Sequence, residues 1–237
     1  MDNIISNAMQ KFKDMIDLEK LIIINGRTHI KSGFNPDLEP VVDPLKTHTL
    51  QGVVDLLKSD YVSGLPLAYI HIVSPTTVCV LSEPFGPFMQ QHTILVASAY
   101  TGDFKFGVKH NPEEFIIALN SQFIENQARK DLLSLTSSIT KETAGTVSDT
   151  GVSQKMEVRS GVSMRDKVEV KNPFVLKPFR TFSEVDQPES EFVFRVKDEG
   201  SVSCVLYEAD GSAWKVKAIE NIKEFFEKAI PEVTVIA

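Results

Sequence analysis

Apolar residues in the opening segment fall at Ile4, Ile5, Ala8, Met9, Phe12, Met15 and Ile16, the three-to-four spacing that lays a single stripe along a helix. This predicts an amphipathic N-terminal helix whose apolar face packs on its own domain or on a neighbouring subunit. The β-branched run from Lys20 to Ile30 is interrupted by Asn25-Gly26, a pair suited to a type I′ turn, and predicts a hairpin. Pro36, Pro40 and Pro44 then mark an extended connector over 32–46. A helix follows, with Thr47 or Thr49 as its cap and Leu50, Val53, Val54 and Leu57 on one face.

Leu67 to Val73, Thr76 to Leu81 and Thr93 to Ala99 have the pattern of strands. Asn111-Pro112-Glu113-Glu114 predicts a helix start: a capping side chain, proline in the first turn, and acids beside the positive end of the helix dipole. Phe115, Ile116, Leu119 and Phe123 form its buried face. A second helical stretch carries Leu132, Leu133, Leu135 and Ile139, continuous with the first or kinked near Asn126. Thr143 to Gly151 holds no large apolar side chain except Val147, which suggests a boundary. Beyond it the period becomes two, in runs near 152–158, 168–170, 174–179, 192–196, 202–207 and 213–216. Ile219, Ile222, Phe225, Phe226 and Ile230 then form a helix stopped by Pro231, and Val233 to Ile236 resembles a last strand. The expected fold class is α+β. A mixed α/β region over 1–142 precedes a mainly antiparallel β region over 151–237 that carries the C-terminal helix.

Composition changes this picture little. Of 237 residues, 42% are hydrophobic and 24% charged, an ordinary globular balance that excludes collagen-like, disordered and low-complexity classes. The net charge of −7 supplies no global field for nucleic acid or acidic membranes, so a generic duplex is not an expected partner. Its distribution is uneven. Residues 151–180 hold seven basic and three acidic side chains, whereas 181–237 hold six basic and twelve acidic. A phosphate-binding strand surface, electrostatic complementarity between copies of the chain, and solvated strand faces are the three readings of this asymmetry. Cys79 and Cys204 lie far apart in apolar runs, as packed thiols do. No apolar window is long enough to span a bilayer, and Met1 to Ile5 does not open a signal peptide. The expected location is cytoplasmic, without membrane association.

The usual catalytic signatures are missing: no Gly-x-Ser-x-Gly elbow, phosphate-binding Gly-rich loop, His-Glu-x-x-His or Cys-x-x-Cys. His29, His48, His71, His92 and His110 are scattered singly. Asp149 followed by Glu169-Val170-Lys171 has the order of a metal-dependent nuclease. Only one other acid-x-lysine triplet occurs, Asp103-Phe104-Lys105, so this spacing is no more frequent than chance provides. No catalytic residue, metal ligand or cofactor is assigned.

The string from Asn172 to Arg195, Asn-Pro-Phe-Val-Leu-Lys-Pro-Phe-Arg-Thr-Phe-Ser-Glu-Val-Asp-Gln-Pro-Glu-Ser-Glu-Phe-Val-Phe-Arg, resembles the signature region of the YfdQ-like family of phage and prophage proteins. Asp149 to Gln154, Glu208 to Lys215 and Pro112 to Phe115 are similar to further blocks of that family. The resemblance runs from about residue 40 to 237. It implies a phage context, in a host bacterial cell and often near recombination genes, but no agreed activity. Within the string, Pro173 and Pro178 predict an edge or bulged strand. Arg180, Glu184, Glu191 and Arg195 are expected either to form salt bridges that fix the turn, with Gln187 bonding loop backbone, or to offer Arg180 and Arg195 to an anionic ligand or partner carboxylate. Arg180, Glu184, Gln187 and Arg195 are therefore the candidate binding residues. The expected function is that of a non-catalytic accessory module, either homo-oligomeric or binding an anionic ligand or a host or phage protein. The alternative is a nucleic-acid-processing factor or metal-dependent nuclease.

Overall fold

The computed structural model describes residues 21–24, 27–30, 35–36, 43–59, 67–86, 89–141, 147–149, 154–160, 164–198 and 201–237. The helix expected near the N-terminus lies outside them. The architecture is α+β. Leu21–Ile24 (β1) and Arg27–Ile30 (β2) pair antiparallel with Ile24 opposite Arg27, as a hairpin requires, while the Asn25-Gly26 pair itself lies outside the described residues. Asn35–Pro36 (β3), within the expected connector, adds a short third strand.

A five-stranded sheet carries one of two hydrophobic cores. Its central strands, Leu67–Ser74 (β5), Thr77–Ser82 (β6) and Thr93–Ser98 (β7), are antiparallel neighbours, while Leu45–Thr47 (β4) and Val235–Ile236 (β14) add parallel edges beside β7 and β5. Ile70, Ile72, Val78, Val80, Leu95 and Ala97 form one apolar face, following the two-residue period. Two helices cover it. Leu50–Lys58 (α1) contributes Leu50, Val53 and Val54, and Ala213–Ala229 (α4) contributes Ile222 and Phe226, followed by Ile230. Thr49 caps α1 by accepting from the Gly52 amide at 3.1 Å.

The second core lies on the antiparallel sheet of Phe174–Leu176 (β11), Ser190–Asp198 (β12) and Val202–Glu208 (β13). Pro112–Gln122 (α2) and Gln127–Lys141 (α3) pack Phe115, Leu119, Phe123, Leu132 and Ile139 against Phe192, Phe194, Val196 and Leu206. Asn111 caps α2 as expected, accepting from the Glu114 amide at 2.8 Å. The two helices are separate rather than one continuous rod: Asn126 ends the break by accepting from Arg129 N at 2.8 Å.

Both margins of this sheet are occupied. Asn126 Nδ2 donates to Val175 O of β11, and His110 exchanges two backbone bonds with Cys204 of β13, which withholds these groups from pairing with another chain. β11 is an edge strand, as its flanking prolines demand. Val147–Asp149 (β8), Gln154–Ser160 (β9) and Met164–Val170 (β10) form a further antiparallel sheet, joined to the second core by buried Val170.

Three features depart from expectation. β8 occupies part of the stretch taken as a boundary. Each core also draws on both sides of the 1–142 and 151–237 division: α2 and α3 pack on β11 to β13, whereas α4 and β14 return to the five-stranded sheet. Finally, residues 213–216 begin α4 instead of forming a strand. Gly211 and Ser212 turn the chain with φ of 61° and 69°, and Asp210 Oδ2 accepts from the Trp214 amide at 3.3 Å, so the helix starts before its apolar period becomes evident. Val216 is 62% exposed, while Ala218, Ile222 and Phe226 are buried.

Phe226 fills the space between α4 and the five-stranded sheet. Phe226→Ala should lower unfolding stability by about 3–5 kcal/mol in urea titrations, whereas Val216→Ala on the same helix should change it by less than about 0.5 kcal/mol.

Candidate functional site

The chain between β11 and β12 leaves one core and returns to it by way of the other, and residues 177–189 do so with little regular structure. Phe182 enters the core of the five-stranded sheet. Around it the backbone is buried, so its polar groups require partners. Gln187, itself buried, supplies them. Its Oε1 accepts from Arg180 N at 2.9 Å and Thr181 N at 3.1 Å, and its Nε2 donates to Phe182 O at 2.9 Å and Val185 O at 3.4 Å. The Thr181 hydroxyl then donates to Pro75 O at 2.5 Å, tying the segment to the turn after β5. Gln187 thus has the loop-bonding role expected of it.

Glu184 serves α1. Its Oε1 accepts from Leu50 N at 2.7 Å and Gln51 N at 3.3 Å, placing a carboxylate on the positive end of the helix and satisfying amides that have no partner within it. The expected pairing of Arg180 with Glu184 is therefore replaced. Arg180 Nη1 donates to Glu208 Oε1 at 2.8 Å and Nη2 donates to Ser190 Oγ. The guanidinium carbon stands 4.0 Å from the Trp214 ring centroid and 5.6 Å from that of Phe192, close enough for cation–π attraction. Ser190 passes the connection on by donating to Asp210 Oδ2 at 2.6 Å. Asp210 also accepts from Ser212 N at 3.0 Å and from Trp214 N, organising the start of α4.

Burial lowers the Arg180 pKa to about 10, with the Glu208 and Asp210 charges opposing that fall, so the guanidinium stays protonated at neutral pH. Burial acts to raise the Asp210 pKa, but the Ser190 hydroxyl, the Ser212 and Trp214 amides and the Arg180 charge outweigh it and hold the carboxyl below its ordinary value. Ser190 thus bridges the Arg180 cation and the Asp210 carboxylate. Arg180 Nε and Trp214 Nε1 have no acceptor among the described residues.

Arg195 does not join this cluster. It lies three residues beyond Phe192 on β12, and strand alternation puts it on the opposite face; its Nη1 is 3.5 Å from Phe194 O. The two arginines are consequently not presented to one ligand. Ser190, Glu208, Asp210 and Trp214 were not among the candidate residues, although Glu208, Asp210 and Trp214 belong to the resemblance block at 208–215. The signal was the concentration of polar and aromatic residues where β13 ends.

Open concavities flank Val175. One of 670 Å³ is lined by Asp131, Leu135, Lys171 and Phe174, and one of 290 Å³ by Glu189, Glu191, Asp210, Trp214 and Lys217. Among the described residues no three His, Cys, Asp or Glu side chains are grouped to hold a metal. The register of β8 to β10 places Asp149 opposite Gln154, which is opposite Val170, so Asp149 and Glu169 occupy positions on opposite faces of their sheet. Burial pushes the Cys204 thiol up to about 12 and raises that of Cys79, consistent with packed rather than reactive thiols. No helix among the described residues is long and apolar enough to cross a membrane. No protein-family profile, curated protein or solved structure matches the chain.

Replacing Arg180 by Met should cost about 2–4 kcal/mol in chemical unfolding, because it leaves Glu208 and Asp210 without their cation. Asp210 titrates lower in the folded chain than in the unfolded one, so its contribution is fully present above the unfolded pKa of about 4 and is lost as pH falls through the folded value. Asp210→Asn should therefore flatten the acid limb of the melting temperature measured between pH 6 and 3, and remove little of the alkaline limb.

Proposed function

We propose that the protein is a non-catalytic phage or prophage accessory module that acts by self-assembly and partner binding. The observation that carries this reading is the internal use of Arg180. The buried cation is engaged by Glu208 and Ser190 and stacked on Trp214, so both terminal guanidinium nitrogens find their partners inside the cluster. Its groups hold β12, β13 and α4 together instead of converging on a substrate position. The resemblance of residues 172–195 to the YfdQ-like signature supports the phage context. Segregated charge supports association between copies, since surfaces of opposite sign steer encounter and fix register.

The nuclease alternative is less well supported: Asp149 and Glu169 sit on opposite faces, where one metal would require them together. A chain of net charge −7 also gains little from a polyanion.

Light scattering of the purified chain at micromolar concentration should give a mass above the 26.4 kDa monomer at low salt and a lower average mass at high salt. A monomeric mass under both conditions would overturn the assembly reading. Magnesium- or manganese-supported cleavage of DNA or RNA that Glu169→Ala abolished in folded protein would replace it with the nuclease alternative.

A further inference from the structure

The larger concavity beside Val175 runs between α3 and the edge strand β11. Its volume of 670 Å³ falls within the range of about 300–1,000 Å³ typical of small-molecule sites. On the helix wall Asp131 and Leu135 are four residues apart, which puts both on one face of α3. Lys171, Pro173 and Phe174 form the opposite wall. Leu135 and Phe174 pack against the second core, so the groove has an apolar floor that is held from behind. An acid and a base line the same groove without neutralising each other. Asp131 receives a neutral donor on one oxygen, Gln127 Nε2 at 2.7 Å from Oδ1, which leaves Oδ2 open. Among the described residues Lys171 has no ion-pair partner.

We infer that this groove binds a small zwitterion with an apolar body, of the class of free apolar amino acids. Lys171 takes its carboxylate, Asp131 its ammonium group, and Leu135 and Phe174 its side chain. Charge selects the occupant: a ligand with one charge would answer either Lys171 or Asp131 and leave the other uncompensated, whereas a zwitterion answers both. The long, flexible lysine stem lets the cation adjust to a ligand carboxylate, and hydrogen bonds between charged groups are the stronger kind. A peptide added as a strand fits the groove poorly. Pro173 has no amide to offer, and Asn126 Nδ2 already holds Val175 O, so the edge of β11 lacks the run of free backbone groups that strand addition uses. The site shares no residue with the Arg180 cluster, and the inference goes beyond the assembly reading without depending on it.

Calorimetric titration of the full chain tests the site with three ligands: L-phenylalanine, phenethylamine, which lacks the carboxylate, and 3-phenylpropionate, which lacks the ammonium group. L-phenylalanine should saturate the site, and each singly charged analogue should bind about tenfold more weakly. Lys171→Met should weaken L-phenylalanine about tenfold and leave it no better than phenethylamine. Asp131→Asn, which keeps the bond from Gln127, should leave it no better than 3-phenylpropionate. Both side chains are exposed, so the melting temperature should hold in each variant, and a merely structural role would not move the discrimination between analogues. Failure of L-phenylalanine to saturate at millimolar concentration, equal binding of the three ligands, or wild-type discrimination in either variant would overturn the inference and leave self-assembly standing. Tighter binding of an acetyl-blocked peptide ending in phenylalanine would replace it with capture of a peptide end. A monomeric wild type that binds L-phenylalanine would overturn the assembly reading alone.

Discussion

A chain that passes between two hydrophobic cores must bury backbone in the passage, and buried amides and carbonyls that lose water have to find protein partners. Residues 177–189 face that constraint, and the Gln187 side chain meets it with bonds to two amides and two carbonyls of the same loop. The rest of the junction depends on this arrangement. With the loop held, Phe182 reaches one core, Arg180 remains beside Phe192 of the other, and Glu184 meets the first amides of α1. One short segment thereby connects both sheets and two helices.

The Arg180 cluster adds a second layer. Removing a guanidinium from water is costly, and an ion pair recovers that cost only with good geometry and further hydrogen bonds. Here the pair with partly exposed Glu208 is supplemented by Ser190 and by the Trp214 face. Ser190 then links the cation to Asp210, which organises the first turn of α4. Since α4 packs on the five-stranded sheet while β12 and β13 carry the other core, this network fixes the relative placement of the two. Its role is positional, and this turns attention for function outward, to open surfaces and to the distribution of charge.

Those surfaces have a consistent character. Asn126 and His110 occupy the margins of the second sheet, which disfavours indiscriminate strand addition. The open concavity between β12 and α4 gathers Glu189, Glu191 and Asp210 with Lys217. Recognition through opposed charged faces gives specificity and sensitivity to ionic strength.

Local physics made much of the fold legible from sequence. The pairing of β1 with β2, the Thr49 and Asn111 caps, the proline-marked edge of β11 and the helix ending before Pro231 follow from interactions within a few residues. Gln187 was also legible, because its partners lie within its own loop. Other features required the tertiary structure. Arg180 chooses Glu208 from across the sheet instead of nearby Glu184, which is drawn to a helix end 134 residues earlier in the chain. Residues 213–216 alternate like a strand, yet Asp210 and the turn at Gly211 and Ser212 begin a helix there. Periodicity and capping register neighbours along the chain, whereas charge pairing and core membership depend on which distant segments are brought together in space. For the same reason the composition break near residue 147 did not divide the cores: α4 and β14 gain more by covering the apolar face of the five-stranded sheet than by remaining with the strands that precede them.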